Sequence, residues 1–281
     1  MNIFHKKKEI IAFLTQQKSK KKSIGFVPTM GALHKGHLSL IEQAQKKNDI
    51  VVVSIFVNPT QFDNKEDLAK YPKTLGKDIE LLESINCDIL FAPTVEEIYQ
   101  DNITSEKFNF DGLENQMEGK FRDGHFDGVG TIVKTLFEIV TPDKAYFGKK
   151  DFQQLQIINK LVEKHNLPVK IKGRPIFREE DGLAMSSRNA RLTKEHRQIA
   201  PFIYKTLKKA KKKFGMKNAE ELTQWVVKQF KKQPLLELEY FTIADEETLE
   251  TPRIIKPNKK YRAFIAVFAG EIRLIDNIGL S

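Results

Sequence analysis

Two histidines three residues apart, His34 and His37, have the clearest capacity for chemistry in this sequence. They follow a short apolar run at residues 24–27 and a Pro-Thr-Met-Gly turn, and a segment with helical spacing comes next. Residues three apart share a face of a helix, and the first turn of a helix attracts anions through its N–H groups and its dipole. We therefore expect the pair to hold phosphate oxygens and to stabilise negative charge on them.

Two glycines favour this interpretation over its alternatives. Gly31 has no Cβ, so a nucleotide can approach the backbone closely, and Gly36 leaves room for a ribose or a base. A histidine pair at this spacing also suits a metal site, but the sequence shows no third ligand in a recognisable arrangement. Surface histidines at this spacing are also common. The whole string is similar to the HIGH signature of the nucleotidyltransferase superfamily.

A glutamine follows a second apolar run. Residues 50–57 form a nearly continuous β-branched stretch, which is typical of a strand buried on both faces of a parallel sheet. Gln61 comes shortly after it, where ligands bind in open α/β sheets. Its amide offers a donor and an acceptor to a hydroxy acid, although a loop glutamine taken alone is more often structural.

Two later strings add charge and hydroxyl groups. Lys150 can place a positive charge on a phosphate, while Asp151 is equally suited to capping the helix that follows. Gln154 lies one turn into that helix and is expected to face the same crevice. Ser187 and Arg188 end a loop that could clamp a triphosphate. That loop resembles the Lys-Met-Ser-Lys-Ser loop of class I aminoacyl-tRNA synthetases.

The elements that must position these residues alternate along the chain. Strands are predicted at residues 24–27, 50–57, 88–92, 145–147 and 169–171, and helices at residues 38–44, 78–84, 130–140 and 152–165. This alternation predicts an α/β fold with a doubly wound, Rossmann-like, mostly parallel sheet. The sequence has no Walker P-loop, and the Gly128-Val129-Gly130 string lacks the third glycine of a dinucleotide fingerprint. We interpret that string as the start of a helix.

The pattern changes near residue 175. Two amphipathic helices are predicted at residues 194–213 and 219–232, and strands at residues 236–243, 261–268 and 272–276. Helices followed by clustered strands predict a smaller α+β domain. We therefore predict a catalytic domain over residues 1–175 and a C-terminal lid domain over residues 176–281, with a hinge near residues 173–177.

Composition limits the cellular setting and the partners. The net charge is +10, but the lysines are scattered over several runs without the interleaved aromatic residues of single-strand binders. We expect a solvated surface rather than a nucleic-acid partner. The single cysteine, Cys87, cannot form an intramolecular disulfide, which suits a reducing compartment. No stretch approaches the roughly 20 apolar residues that span a bilayer. We expect a cytoplasmic protein without a membrane partner.

Taken in order, these strings resemble the pantothenate synthetase family. The segments that carry the resemblance are residues 28–40, 54–62, 71–74 with Asp78, 125–140, 147–155 and 181–192. Each segment alone is weak evidence for the family, whereas the six segments in this order are specific to it. The resemblance covers most of the chain to about residue 200 and is weaker beyond.

The resemblance implies a reaction in two steps and a homodimer. Pantoate attacks the α-phosphate of Mg-ATP and releases pyrophosphate; β-alanine then attacks the pantoyl adenylate and releases AMP. His34, His37 and Lys150 are the implied catalytic residues, and the family's customary proton-donor role falls on His37. We expect an electrostatic role instead, because the carboxylate nucleophile carries no proton at neutral pH. Gln61 and Gln154 are implied to hold pantoate, Gln61 also to meet β-alanine, and Asp78 to lie near Mg²⁺. The implied ATP site comprises Met30, Gly31, Ala32, Leu33, His34, Lys35, Gly36, His37, Gly148, Lys149, Lys150, Asp151, Phe177, Met185, Ser186, Ser187 and Arg188.

The sequence departs from the family at one position and leaves two alternatives open. Lys149 stands where the family usually has glutamate; we expect it to point to solvent and to change ATP affinity little. A class I tRNA-synthetase-like protein would use the same HIGH-type site, but 281 residues leave little room for an anticodon-binding domain. A nucleotide-binding protein without catalysis would not need the histidines together with Lys150 and Arg188.

Overall fold

The computed structural model describes residues 1–63, 65–216 and 218–280. The β-strands are β1 (Asn2–Phe4), β2 (Ile24–Thr29), β3 (Ile50–Ile55), β4 (Ile89–Phe91), β5 (Lys144–Gly148), β6 (Lys170–Arg174), β7 (Glu237–Asp245), β8 (Tyr261–Ala269) and β9 (Ile272–Gly279). The α-helices are α1 (Lys7–Ser19), α2 (Lys35–Gln45), α3 (Lys65–Lys70), α4 (Leu75–Ser84), α5 (Val95–Tyr99), α6 (Met117–Phe121), α7 (His125–Val140), α8 (Phe152–Lys164), α9 (Lys194–Ile199), α10 (Phe202–Lys213) and α11 (Ala219–Phe230).

The chain forms two compact units. The first comprises Met1–Lys149 and Gln153–Pro175, and the second comprises Lys150–Phe152 and Ile176–Ser281. The short segment Lys150–Phe152 therefore belongs to the second unit, although the sequence prediction placed it inside the first domain. The contacts that draw it there come from β8 and β9 and are described below.

The first unit is built on a six-stranded parallel sheet in the order β1-β4-β3-β2-β5-β6. The central strands are buried on both faces, which explains the nearly continuous β-branched run of β3. From β2 the chain proceeds outward through β3 and β4, then returns to the other side of β2 to form β5 and β6. The order of strands therefore reverses between β2 and β5, and ligands bind at such a switch point in open α/β sheets.

The second unit contains an antiparallel sheet in the order β7-β8-β9. Alternate residues of β8, such as Ala263 and Ile265, pack in one core with α10 and α11. Side chains alternate along a strand, so Arg262 and Phe264 lie on the opposite face. Phe264 is paired in register with Asn277 of β9, which places Asn277 on that same face.

The predicted fold class is confirmed, with differences in detail. The helix predicted at residues 194–213 is two helices, because Pro201 lacks an N–H group and its ring disfavours continuation of α9. The Gly128-Val129-Gly130 string lies within α7 rather than at its start, which is at His125 after Gly124. In the described part of the chain, no helix combines the length and the hydropathy that crossing a membrane requires.

Candidate active site

The turn after β2 is held open by a buried carboxylate. Gly31 and Ala32 both have positive φ angles, of 82° and 49°, and the N–H of Gly31 donates to the Thr29 hydroxyl. The Asp78 carboxylate accepts hydrogen bonds from Ala32 N at 3.0 Å and from Leu33 N at 2.7 Å. The hydroxyl of Thr74 donates a third bond, at 3.1 Å. Asp78 thus fixes the shape of the turn from a helix more than forty residues later in the chain.

The two histidines lie at the start of α2. His34 is the N-cap residue, and its Nδ1 accepts a hydrogen bond from Gly36 N at 3.2 Å. A neutral His34 therefore carries its proton on Nε2, where it can donate to a ligand. The rings of His34 and His37 are stacked, with centroids 4.0 Å apart and planes inclined by 23°. The structure thus confirms that the pair shares one face at a helix N-terminus.

Gln61 lies in a 3-10 turn (Pro59–Gln61) after β3 and is buried. Its Nε2 lies 3.0 Å from the Met30 sulfur, and its Oε1 accepts from Asn58 Nδ2 at 3.3 Å. Asn58 is itself fixed, since its Nδ2 donates to Gly128 O and its Oδ1 accepts from the Tyr99 hydroxyl at 2.6 Å. The turn after β2 and the turn after β3, which the sequence predicted to be functional, are therefore in contact.

His125, which the sequence did not indicate as functional, contacts the backbone of Gln61. His125 is buried, and its Nδ1 lies 2.7 Å from the backbone oxygen of Gln61, so this nitrogen must carry the proton. Its Nε2 is then an acceptor for Arg122 Nη1, at 3.2 Å. Burial and the neighbouring Arg122 charge lower the pKa of His125 to about 4. His125 is therefore neutral in the folded protein at neutral pH.

We expect acid to weaken the fold through His125. The pKa of His125 is 6.5 in the unfolded chain and about 4 in the folded protein. The stabilisation that comes from a neutral His125 is therefore complete above the unfolded pKa, and it is lost as the pH falls toward the folded pKa. Urea unfolding should show that the wild type loses about 2 kcal/mol more than His125→Asn between about pH 7.5 and about pH 5. Asparagine can retain the N–H donor to Gln61. Equal pH dependence of the two proteins would contradict the expectation.

The remaining predicted residues of the first unit lie near the carboxyl end of β5. Gly148 ends this strand, and Lys149 follows in a 3-10 turn. Lys149 is half-buried, and its stem lies beside Gly173, where a Cβ would lie 3.4 Å from Lys149 Cε. That its ammonium points to solvent stays a prediction. Gln154 is half-buried on α8. Its neighbour Gln153 is buried and structural, because its amide bonds the backbone oxygens of two residues in the segment before α6.

The second unit gathers the other predicted residues. Phe177 and Met185 face each other across a short hairpin, in which Met185 N donates to Phe177 O at 3.0 Å. Ser186 then caps a 3-10 helix (Ser187–Arg191) by accepting from Arg188 N at 3.3 Å. Phe177, Met185, Ser186, Ser187 and Arg188 thus belong to one local structure. The Lys150 ammonium lies 3.5 Å from the Asp151 carboxylate in the segment between β5 and α8.

Comparison with known proteins identifies the family. A model described as pantoate-beta-alanine ligase matches residues 2–279. The chain belongs to the pantoate-beta-alanine ligase family. It is 59% identical over 282 residues to the pantothenate synthetase of Christiangramia forsetii and 58% identical over 281 residues to that of Flavobacterium psychrophilum, in each case covering 100% of both chains.

Solved structures of the family share the fold. The crystal structure of pantothenate synthetase from Thermus thermophilus matches with a TM-score of 0.91 and 39% identity, over 100% of this chain and 99% of that one. Pantoate-beta-alanine ligase from Francisella tularensis, a complex with β,γ-ATP and β-alanine, matches with a TM-score of 0.83 and 38% identity, over 100% and 98%.

The described residues provide no cluster of ligands for the Mg²⁺ that the sequence resemblance implies. Among residues 1–63, 65–216 and 218–280, no group of three or more His, Cys, Asp or Glu side chains is placed to hold a metal ion. Asp78, predicted to lie near Mg²⁺, already accepts three hydrogen bonds and is 1% exposed. These bonds give Asp78 a role in the turn that does not require the ion, and its contact with Mg²⁺ stays a prediction.

Replacing Asp78 is expected to release the turn after β2. Asp78→Ala leaves the N–H groups of Ala32 and Leu33 without their acceptor, and hydrogen bonds to a charged group contribute about 1.5–3 kcal/mol each. The variant should lose on the order of 3 kcal/mol of unfolding free energy in urea titrations. Glu80→Ala, an adjacent carboxylate deletion on α4, is the control. Equal stability of the two variants would show that Asp78 does not hold the turn.

Proposed function

We propose that this protein joins pantoate to β-alanine at the expense of ATP, through a pantoyl adenylate, and releases AMP and pyrophosphate. The ligase activity is that of its family, whose model matches residues 2–279. The observation that supports the adenylate route is the turn after β2, where Asp78 holds the backbone and His34 caps α2 at a helix N-terminus. Such a site is suited to a nucleotide triphosphate, and the turn lies beside the switch point of the sheet.

The first step forms the mixed anhydride. A pantoate carboxylate oxygen bonds to the α-phosphorus, and the bond from that phosphorus to the bridging oxygen of pyrophosphate breaks. Negative charge builds on the phosphate oxygens, and His34, His37 and Lys150 are proposed to stabilise it. The nucleophile carries no proton at neutral pH, so the histidines need only donate hydrogen bonds.

The second step forms the amide. The neutral β-alanine amine attacks the carbonyl carbon of the adenylate, the bond to the AMP oxygen breaks, and the nitrogen loses one proton to solvent. Gln61 and Gln154 are proposed to hold pantoate through its hydroxyl groups and carboxylate. The buried position of Gln61, fixed by Asn58 and Met30, suits it to orienting a small hydroxy acid. An adenylate hydrolyses readily, so the site must exclude water until the amine arrives.

Further residues are proposed to contact the nucleotide. We propose that Met30, Gly31, Ala32, Leu33, Lys35, Gly36, Gly148, Lys149, Asp151, Phe177, Met185, Ser186, Ser187 and Arg188 complete the ATP site. Mg²⁺ would enter bound to ATP as part of the substrate and would supply positive charge to the phosphates, with Asp78 as the proposed carboxylate near it. A homodimer, a cytoplasmic location and a lid role for the C-terminal domain are further proposals; sedimentation equilibrium tests the first.

One assay tests both the activity and the route. Pantoate labelled with ¹⁸O in its carboxylate is incubated with Mg-ATP, with and without β-alanine, and the products are measured by mass spectrometry. The adenylate route predicts pantothenate, pyrophosphate and AMP that carries one ¹⁸O atom. Unlabelled AMP would contradict the adenylate, and ADP with phosphate would indicate an acyl phosphate instead. No pantothenate from folded protein would contradict the ligase activity.

A further inference from the structure

The segment that carries Lys150 is held by the outer face of the C-terminal sheet. The side-chain Nδ2 of Asn277, on β9, donates to the backbone oxygen of Lys150 at 2.7 Å. The centroid of the Phe152 ring lies 5.9 Å from that of the Phe264 ring on β8. The guanidinium carbon of Arg262 lies 4.2 Å from the centroid of the Phe152 ring. Arg262, Phe264 and Asn277 share the face of the sheet that is turned away from α10 and α11.

Asn277 is itself braced. It is 2% exposed, and its Oδ1 accepts a hydrogen bond from Arg262 Nη1 at 2.6 Å. Arg262 is held in turn by Glu246, which lies 3.0 Å from its Nε and 2.9 Å from its Nη2. A buried amide whose oxygen and nitrogen are both engaged has one orientation, since a flip would set Asn277 Nδ2 against a guanidinium N–H and its Oδ1 against a carbonyl.

The residue next to Asn277 adds charge on the other face. Asp276 is buried and receives two hydrogen bonds from Arg178, at 2.7 and 2.9 Å. Burial raises the pKa of the Asp276 carboxyl, while Arg178 and the charge of Lys150 oppose that rise. The end of β9 therefore holds the Lys150 backbone on one face and the Asp276–Arg178 ion pair on the other.

We propose that Asn277, braced by Arg262, is a positioning residue that fixes the backbone of Lys150 and thereby sets where its ammonium lies during catalysis. This inference rests on the proposed role of Lys150 in the ligase reaction. It assigns a function to Asn277 and Arg262. Both are buried, but they do not pack in the core of the second unit, which lies on the opposite face of the sheet.

Asn277→Asp tests the hydrogen bond to Lys150 selectively. The aspartate keeps an oxygen for Arg262 but replaces the N–H donor with a second oxygen facing the Lys150 carbonyl. We expect kcat for pantothenate formation to fall on the order of 10-fold to 100-fold, with the KM for ATP changed by less than about threefold. Arg262→Met, which keeps a flexible apolar side chain near Phe152 but removes the brace, should produce a smaller fall. If Asn277→Asp does not fold, Arg262→Met serves as the test in its place.

A double-mutant cycle separates positioning from general destabilisation. If Asn277 acts through Lys150, Asn277→Asp in a Lys150→Ala background should cost less than about threefold in kcat. Asn218→Ala is the matched control, because Asn218 caps α11 in the same unit. It should lower the melting temperature and leave kcat unchanged at a permissive temperature.

The outcomes are distinct. Wild-type kcat in both Asn277→Asp and Arg262→Met would overturn the inference, as would a full additional loss from Asn277→Asp in the Lys150→Ala background. An Asn218→Ala variant that loses kcat in parallel with Asn277→Asp would also overturn it. Full activity of Lys150→Ala would remove the proposed role of Lys150, and the inference with it, while wild-type pantothenate synthesis would still stand.

Discussion

Lys150→Ala is expected to lower kcat for pantothenate formation by about 10²–10³-fold, equivalent to about 2.7–4 kcal/mol of transition-state stabilisation. The proposed role of the ammonium is to meet negative charge that grows as the α-phosphorus is attacked. Its side chain is 19% exposed, so little water competes for that charge. Because the interaction strengthens in the transition state, kcat should fall much more than the KM for ATP rises. Steady-state kinetics with pyrophosphate detection measures both.

The adjacent lysine is the matched control for this change. Lys149→Ala removes the same charge from the same 3-10 turn, but Lys149 belongs to the first unit and its stem packs beside Gly173. We expect it, and Lys149→Glu, to change ATP affinity by less than about tenfold, or roughly 1.4 kcal/mol. If Lys150→Ala and Lys149→Ala lowered kcat equally, net positive charge near β5 would support the reaction, rather than the position of the Lys150 ammonium.

The turn after β2 could be predicted from local sequence, but its anchor could not. A strand, a Pro-Thr-Met-Gly turn and two histidines in the first turn of a helix are features within 14 residues, and the structure places His34 and His37 as expected. Asp78 holds that turn through the backbone N–H groups of Ala32 and Leu33. Backbone donors are the same for every residue but proline, so the sequence carries no sign of that pairing.

Long-range contacts account for the other differences. Lys150 lies between β5 and α8, so chain order assigned it to the first domain. The contacts of this segment within the second unit come from Asn277 and Phe264, more than a hundred residues later. His125 was likewise missed, because its role depends on the Gln61 backbone oxygen. The break at Pro201 could have been predicted from the sequence. The amphipathic pattern continues across Pro201, and for that reason one helix was predicted instead of two.

Gly128→Ala is expected to damage the turn that carries Gln61. A Cβ at Gly128 would lie 2.4 Å from the backbone oxygen of Thr60 and 2.7 Å from Cα of Gln61. Both are backbone atoms, so the turn that carries Gln61 must shift rather than a flexible side chain. The oxygen of Gly128 also accepts from Asn58, whose amide holds Gln61. We expect kcat/KM for pantoate to fall by about 100-fold, since a displacement near 1 Å has that cost.

Two other glycines in helices provide graded controls for that loss. A Cβ at Gly130 would lie 2.9 Å from the ring of Phe108, a side chain that can move, so Gly130→Ala should reduce stability more than pantoate kinetics. Gly76 in α4 has nothing within 4 Å of a new Cβ, and Gly76→Ala should be neutral or stabilise the helix by up to about 1 kcal/mol. The decisive quantity is kcat/KM for pantoate at saturating ATP, measured beside urea unfolding of all three variants. If Gly128→Ala lost stability but kept wild-type kcat/KM, then close approach of α7 to the Gln61 turn would serve folding alone, and Gln61 would not need its observed position to hold pantoate.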